Sequence, residues 1–241
     1  MHVALMQPYL FPYQGYFGLI DAADVFVLFD NVQYHRRGWM HRNRIHHPSK
    51  GWQHVGVRTV KAPRETSIRD IRLQAGWQSR LLDALEGAYR GQARHADALL
   101  QWLSGVLDLD TDALHELNGH TLRATTRHLG LSCRFASATD VGLARDPALP
   151  LWDWARQACA CFGGSAYLNL PGGAELYPPE PFVKQGLGLG FIQPELAPYP
   201  RGAGHWEAGL SILDVIAHCG PVEAGEQARR YGVAWKAPLS G

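Results

Sequence analysis

Short apolar runs alternate with helical patterns along this chain, and that order predicts an α/β fold. Residues 3–6 form an apolar run that stops at Gln7-Pro8, as a strand followed by a turn would. Residues 15–23 place apolar side chains at helical spacing, and residues 25–29 are apolar at every position, as in a strand buried on both faces of a parallel sheet. We therefore predict an N-terminal β-α-β Rossmann-like core with a mostly parallel sheet.

The elements after this opening are less regular. Residues 31–50 are predicted to be mainly loop, and residues 52–60 and 68–73 alternate enough for a hairpin-like pair of strands. From Trp77 the apolar period is helical over three segments, 77–89, 93–107 and 111–129. We interpret residues 77–130 as a helical insertion or subdomain within a single α/β domain of residues 1–241.

The rest of the chain returns to alternating strands and helices. The predicted strands are 131–136, 167–170 and 187–192, and the predicted helices are 149–162, 210–218 and 222–230. Ser211 is the expected N-cap of the helix at 210–218, and Asp214 stands where it would complete a capping-box-like arrangement. The pattern thus predicts that the chain closes with two helices.

The charge is concentrated in one segment. Residues 35–72 carry ten Lys or Arg and only two acids, whereas the remaining residues carry thirteen basic and twenty acidic side chains, so the net charge of +1 hides a basic segment on an acidic body. A basic loop directly after a strand end is where an α/β protein would bind an anionic small molecule. The sequence therefore indicates the charge of the ligand and the position of its site.

Composition narrows the class of protein. No apolar run is long enough for a membrane span, and the N-terminus reads as a core strand and not as a signal peptide. The four cysteines show no disulfide framework, which favours a cytoplasmic location with reduced thiols. The chain has no Gly-x-Gly-x-x-Gly, Walker-type loop or nucleophile elbow, so we predict no cofactor. No oligomeric state is predicted.

The loop after the first strand is stiff and aromatic. Two prolines restrict it, and strand ends in open α/β sheets face the ligand crevice, so Gln7, Tyr9 and Tyr13 are candidate substrate-binding residues. Gly15 would permit close backbone approach at the helix start, where free N–H groups could bind an anion. The alternative is a rigid turn that packs the sheet edge.

Polar residues also follow the second strand. Asp30 is a candidate catalytic residue that could bind a ribose hydroxyl, hold a metal or take a proton, and Gln33 is a candidate binding residue. Asp30 could equally cap the loop through nearby N–H groups. His35 and His205 are further candidate proton carriers. The five histidines between residues 35 and 54 match no metal-binding spacing, so we predict no metal.

The basic stretch offers the richest binding chemistry. Arginine presents a planar fork suited to carboxylate and phosphate, tryptophan can stack on a ring, and asparagine supplies a donor and an acceptor. The candidate substrate-binding residues here are Arg36, Arg37, Trp39, Arg42, Asn43 and Arg44. In a strand Arg42 and Arg44 would share one face and Asn43 would take the other. The alternative is a solvated basic surface.

Farther along, Tyr167 and Tyr177 flank a Gly-rich loop that could close over a ligand.

At these residues the chain resembles the WbqC-like protein family, bacterial proteins found among genes for O-antigen and other surface polysaccharides. The family's opening Gln-Pro-x-Tyr-x-Pro and Gly-Tyr-Phe pattern is matched by residues 7–17. Further matches are Asp30, Gln33, Tyr34, Arg36, Arg37, Trp39, residues 42–45, Tyr167, Leu168, Gly172, Tyr177 and residues 210–214. His41 and Arg201 depart from the family pattern.

The resemblance implies work on surface polysaccharides or related sugar nucleotides. Together with the basic segment, it leads us to expect a biosynthetic transferase that acts on a small anionic activated substrate and moves an amino-acid-like or acyl group. Three alternatives stay open: a nucleotidyltransferase-like enzyme, an enzyme that modifies nucleic-acid bases, and a non-catalytic module that binds an anionic glycan. Nucleic acid is the less favoured partner.

Overall fold

A six-stranded sheet organises the chain in a computed structural model, which describes residues 1–143, 146, 148–200 and 206–238. The strands are β1 (His2–Met6), β2 (Val25–Leu28), β3 (Arg42–His47), β4 (Gly51–Gly56), β5 (Arg134–Ser137), β6 (Ala166–Asn169), β7 (Gly188–Pro194) and β8 (Tyr231–Ala237). The α-helices are α1 (Gln14–Ala22), α2 (Trp77–Tyr89), α3 (Ala96–Val106), α4 (Leu114–His128), α5 (Leu151–Phe162), α6 (Glu180–Val183), α7 (Ile212–Cys219) and α8 (Pro221–Ala228). Two 3-10 turns cover Ile68–Asp70 and Pro171–Leu176.

The strand order of the large sheet is β5-β2-β1-β6-β7-β8. β1 pairs in parallel with both β2 and β6, and only β8 among these strands runs antiparallel to its neighbour. From β1 the chain moves outward to β2 and β5, then returns to build β6 and β7 on the other side of β1. The order therefore reverses between β1 and β6, which makes a topological switch point there. The predicted α/β fold with a mostly parallel sheet is confirmed.

Both faces of the sheet are covered, because its inner strands are apolar on both sides. In β1, Ala4 belongs to an apolar cluster with α1, α4 and α7, whereas Val3 and Leu5 belong to a second cluster with α5. All four residues of β2 are buried. Side chains of α2 and α3 belong to the first cluster as well, so the predicted helical block packs into the same core as one face of the sheet.

The predicted strand at 52–60 overlaps β4, but its predicted partner at 68–73 was wrong. The hairpin is β3 with β4, so its first strand lies in the basic stretch that was predicted to be mainly loop. Residues 68–73 instead contain the 3-10 turn Ile68–Asp70, and Thr59 and Leu73 form only an isolated bridge. The alternation in β3 is carried by Asn43 and Ile45, which are buried between polar residues. Because the buried Asn43 is polar, the alternation of apolar and polar residues that marks a strand is weak in this stretch.

The end of the chain also differs from the prediction. Two helices, α7 and α8, are present as expected, but β8 follows them and pairs along β7. Ser211 is the N-cap of α7, because its Oγ accepts a hydrogen bond from the N–H of Leu213, which confirms that prediction. The capping box is wrong: Asp214 accepts hydrogen bonds from the Tyr199 hydroxyl and from the backbone N–H of His46. Asp214 thus ties α7 to β3.

No helix among the described residues has both the length and the apolar character that a membrane crossing requires.

Candidate functional site

A cavity of about 580 Å³ opens at the carboxyl ends of β1 and β6, where the strand order reverses. Its volume is in the range of small-molecule sites, and its position is the one at which open α/β sheets bind ligands. The sequence-predicted site residues that line it are Gln7, Tyr9, Tyr13, Trp39, Asn43, Arg44 and Tyr177. They come from three separate parts of the chain, so the fold brings them together.

One wall of the cavity is the loop between β1 and α1, and a buried side chain in α4 holds it. The amide nitrogen of Asn118 donates to the carbonyl oxygen of Pro8 over 2.8 Å and to that of Met40 over 2.7 Å. Asn118 is completely buried. Because Pro8 and Met40 belong to two different loops beside the cavity, this one amide fixes their spacing.

The same loop is anchored from two other elements. Asn43 Nδ2 in β3 donates to the carbonyl oxygen of Leu10 over 3.1 Å, and Ser211 Oγ donates to that of Phe11 over 2.7 Å. Phe11 has a φ of 41°, in the left-handed region that non-glycine residues rarely adopt. These bonds offset the cost of that conformation and give the loop a defined shape without a ligand.

Gly15 serves packing at the start of α1. A Cβ added there would lie 2.5 Å from the ring of Tyr13 and 2.6 Å from the ring of Pro194. The space that the missing side chain leaves is therefore filled by protein. The expected close approach of a ligand at Gly15 is replaced by the approach of Tyr13, whose ring lines the cavity.

Arg44 lies at the cavity wall near two indole rings. Its Cζ lies 5.7 Å from the ring centroid of Trp39 and 5.4 Å from that of Trp52, within the range of cation–π contacts. Nη2 donates to the carbonyl oxygen of Gly209 over 3.4 Å, and Nη1 lies 3.9 Å from a carboxylate oxygen of Glu207. These contacts are long, so the guanidinium keeps donor capacity for an anion in the cavity.

The other predicted arginines lie outside the cavity lining. Arg36 and Arg37 are exposed, and Arg36 donates to the carbonyl oxygen of Ala62 over 2.6 Å. Arg42 donates to the carbonyl oxygen of Arg37 over 3.0 Å. In β3, Asn43 is buried while Arg42 and Arg44 are partly exposed, as strand alternation requires. The structure therefore brings one of the four arginines, Arg44, to the cavity and leaves the other three on the neighbouring surface.

Asp30 is buried and fully engaged by the protein. Its Oδ1 accepts from the N–H and the hydroxyl of Thr139, and its Oδ2 accepts from Ser137 Oγ and from Arg69 Nη1 over 2.9 Å. This carboxylate connects the ends of β2 and β5 with the segment around Arg69. The loop-capping alternative accounts for all of these contacts, and Asp30 does not line the cavity.

The remaining polar candidates are dispersed. Gln33 donates from Nε2 to the carbonyl oxygen of Arg64 over 2.8 Å, and His35 is exposed. Neither lines the cavity. His205 lies outside the described residues. Within the described part of the chain, no group of three or more His, Cys, Asp or Glu could hold a metal ion.

Two stacked tyrosines lie behind the cavity. Tyr167 is completely buried and donates to the carbonyl oxygen of Leu5 over 3.2 Å, and its hydroxyl lies 3.3 Å from that of Tyr177. Asn169 Nδ2 donates to the Tyr167 hydroxyl. Burial raises the pKa of both tyrosines, so both are neutral hydroxyls. Only Tyr177 reaches the lining, and Tyr167 supports it.

A neutral histidine supports the wall that carries Trp39. His41 Nδ1 lies 2.8 Å from the Tyr34 hydroxyl. Burial, followed by the charges of the neighbouring Arg42 and His54, lowers the pKa of His41 to about 4. An uncharged imidazole next to Arg42 avoids like-charge repulsion inside this loop.

Sequence reasoning missed the apolar part of the lining. Leu5, Met6 and Phe29 come from strand ends, and Leu151 and Leu176 come from the start of α5 and from the 3-10 turn after β6. Leu151 is 41% exposed and Leu176 is 58% exposed. Single exposed leucines at distant points of the chain form no sequence pattern. Only the tertiary fold could show that these side chains share a cavity mouth.

Comparison with known proteins gives a consistent family. Residues 7–226 match the model of the WbqC-like protein family. The chain is also 30% identical over 222 residues to the uncharacterized protein Rv1507c of Mycobacterium tuberculosis (strain ATCC 25618 / H37Rv), an alignment that covers 90% of this chain and 94% of that protein. No solved structure matches the chain. With a family match across most of its length, this chain belongs to the WbqC-like protein family.

Proposed function

We propose that the chain is a biosynthetic transferase that acts on an anionic activated substrate, a sugar nucleotide or a similar molecule, at the cavity of the switch point. It would move an amino-acid-like or acyl group in the biosynthesis of surface polysaccharides or related small molecules, in the cytoplasm. The observation that carries this proposal is Arg44, a cation in cation–π contact with Trp39 and Trp52 at the wall of a ligand-sized cavity.

The geometry supports a reaction that depends on positioning and charge stabilisation. In acyl transfer the acceptor oxygen or nitrogen attacks the activated carbonyl carbon, the leaving group departs with its electron pair, and the acceptor loses a proton. Negative charge grows on the carbonyl oxygen and the leaving group, where Arg44 and the amide of Gln7 can stabilise it. Such fixed donors contribute most when water is excluded and the reactants are held in place.

The described lining offers no carboxylate or imidazole for proton transfer. Asp30 is engaged by Arg69, Ser137 and Thr139, so we assign it a structural role. Tyr9 and Tyr13 carry hydroxyls whose pKa burial raises, which makes them hydrogen-bond donors and not bases. The leaving group of the activated substrate is therefore the natural acceptor of the proton.

The exposed arginines have a separate role in this proposal. Arg36 and Arg37 form no ion pair among the described residues, and they lie on the loop that leads to Trp39 at the cavity mouth. Uncompensated cations beside a cleft raise the rate at which anions arrive. We assign them to steering of the substrate, and Arg44 to its binding.

Incubation with substrate mixtures tests the proposal. The protein would be mixed with sugar nucleotides, acyl and aminoacyl donors, amino acids and ATP, and products would be detected by mass spectrometry. We expect a new product whose mass equals acceptor plus transferred group, lost in Arg44→Met and retained in Arg58→Met, an exposed arginine outside the cavity lining. Release of pyrophosphate with a nucleotide adduct would instead support nucleotidyl transfer, and a bound ligand without turnover would support a binding module.

A further inference from the structure

The described lining of the cavity carries a positive charge and no negative charge. Arg44 is the one Lys or Arg among the described lining residues, and these contain no Asp or Glu. The residues that the structure does not describe, 144, 145, 147, 201–205 and 239–241, include no acidic residue in the sequence. The nearest carboxylate to Arg44, that of Glu207, is outside the lining and 3.9 Å from Nη1. A ligand ammonium group would therefore enter this cavity without a counter-ion.

Most neutral polar groups in the wall are already occupied. Asn43 uses its amide for the carbonyl of Leu10 and for the N–H of Arg44, and Asn169 uses its amide for Tyr167 and for the N–H of Leu170. These two side chains cannot serve a ligand without releasing the backbone that they hold. The ligand can therefore form only a few hydrogen bonds with side chains of the cavity wall.

Some neutral donors in the wall remain available to a ligand. Among the described residues, no hydrogen bond takes the Gln7 amide nitrogen or the Tyr13 hydroxyl, and both side chains face the cavity. Together with Arg44 they give the lining a small set of polar donors for a ligand. A single anionic group, with two acceptor oxygens for Arg44 and Gln7, would satisfy these donors.

The rest of the lining is apolar. Leu5 and Phe29 are buried, Met6 and Leu170 are partly buried, and the exposed Leu151 and Leu176 stand at the mouth. Exposed leucines at the mouth of a cavity gain free energy when a ligand covers them, at roughly 25 cal/mol per Å² of apolar area. A hydrated polyphosphate or a bare sugar would lose its water here without compensation.

We infer that this cavity takes a ligand with one anionic group, no free ammonium and an apolar ring or branched body, in chemical terms a carboxylate that carries an aromatic or branched aliphatic group. The inference rests on the proposed function and narrows its substrate class. The carboxylate, whose place the acyl carbonyl takes in the activated substrate, binds Arg44 and Gln7, and the apolar body lies between Met6, Phe29 and Leu176. Any nucleotide part of an activated substrate lies outside the cavity.

Four probes test this ligand class. They are 3-phenylpropanoate, its uncharged amide 3-phenylpropanamide, L-phenylalanine, which adds an ammonium group, and the nucleotide UDP. Affinities would be measured by ligand-observed NMR titration at low salt. We expect 3-phenylpropanoate to bind at least about tenfold more tightly than the amide, since a charge-assisted hydrogen bond contributes about 1.5–3 kcal/mol. L-phenylalanine should bind at least about tenfold more weakly than 3-phenylpropanoate, and UDP should not displace the latter.

Variants locate the binding. Arg44→Gln should abolish the preference for the carboxylate over the amide, and Leu176→Ser should weaken both probes, with folding checked by circular dichroism. Arg58→Gln is the matched control and should keep the wild-type order. Equal binding of acid and amide, tighter binding of L-phenylalanine, displacement by UDP, or no binding of 3-phenylpropanoate would each overturn the ligand class. Selective binding without any transferase product would overturn the proposed function alone.

Discussion

Asn43 and Leu10 are joined by a hydrogen bond of 3.1 Å from the Asn43 amide nitrogen to the Leu10 carbonyl oxygen, within the buried interior. The bond connects the small β3–β4 sheet to the loop that follows the first strand of the large sheet. Because Asn43 and Arg44 are adjacent in a strand, the inward anchor and the cation at the cavity wall are fixed by the same backbone. The placement of the charge thus depends on an uncharged neighbour.

Asn43→Ala should lower both stability and ligand affinity. The substitution leaves the Leu10 carbonyl and the Arg44 N–H without their partner, and an unsatisfied buried group costs about 1–3 kcal/mol. Urea denaturation would measure the free energy of unfolding. Gln53→Ala, a partly exposed position in the facing strand β4, is the control and should change that free energy by less than about 0.5 kcal/mol. An Asn43→Ala protein as stable as this control would contradict the anchoring role.

Trp52→Leu should weaken anion binding without a large loss of stability. Trp52 is 37% exposed and its ring centroid lies 5.4 Å from Arg44 Cζ, so its removal loosens the guanidinium. A cation–π contact at an exposed site contributes about 0.5–1 kcal/mol, which corresponds to a loss of affinity of roughly two- to fivefold. Titration with 3-phenylpropanoate would measure it. Trp235→Leu, a similarly exposed tryptophan in β8, is the control, and an equal effect there would exclude a specific brace.

Acid should destabilise the protein through His41. Its pKa is lowered from 6.5 to about 4 in the folded state, so between these values the unfolded chain binds more protons than the folded chain. The stabilisation is fully present above pH 6.5 and is lost as the pH falls toward 4. Since the ring is partly exposed, we expect a loss of no more than about 2 kcal/mol from this group.

His41→Gln isolates that dependence. The variant should lose less stability than the wild type between pH 6.5 and pH 4 in urea denaturation, because the group whose protonation favours unfolding is gone. Gln53→Ala should keep the wild-type dependence. The same slope in His41→Gln and in the wild type would show that another group is responsible.

Most of the fold could be predicted because its elements have strong periodic patterns. β2 is apolar throughout and α2 places Leu81 and Leu85 on one buried face, so neither depends on distant partners for its identification. β8 was missed because it is an edge strand with mostly exposed residues, Trp235 among them. Its pairing with β7 is set by tertiary contacts that a local pattern does not contain.

The candidate site could be predicted in its position and in part of its lining. The ligand crevice follows from strand order, and the loop of Gln7, Tyr9 and Tyr13 does line it. Charge was less informative, because arginine type and spacing do not tell which side chains face inward: Arg44 does, whereas Arg36 donates to the carbonyl of Ala62. The steric and hydrogen-bonding partners that decide this come from other parts of the chain.

Glycine at position 56 should be required for the β3–β4 hairpin to reach the cavity wall. A Cβ at Gly56 would overlap the carbonyl oxygen of His41 and lie 2.6 Å from the Cα of Arg42, both backbone atoms that cannot turn away. Gly56→Ala should therefore push β3 outward, cost about 1–3 kcal/mol of stability and weaken the binding of an anion at Arg44. The free energy of unfolding and the affinity for 3-phenylpropanoate would be measured on the same samples.

Gly87→Ala is the matched comparison, because it makes the same chemical change inside α2, where the added Cβ meets no described heavy atom within 4 Å. Here alanine should raise the stability by about 0.5–1 kcal/mol, since it restricts the unfolded chain and favours the helix. Affinity for the anion should stay at the wild-type level. Opposite signs for the two variants would show that the backbone contact of β4 with His41 and Arg42 sets the cavity wall, and a neutral Gly56→Ala would show that the hairpin can shift without moving Arg44.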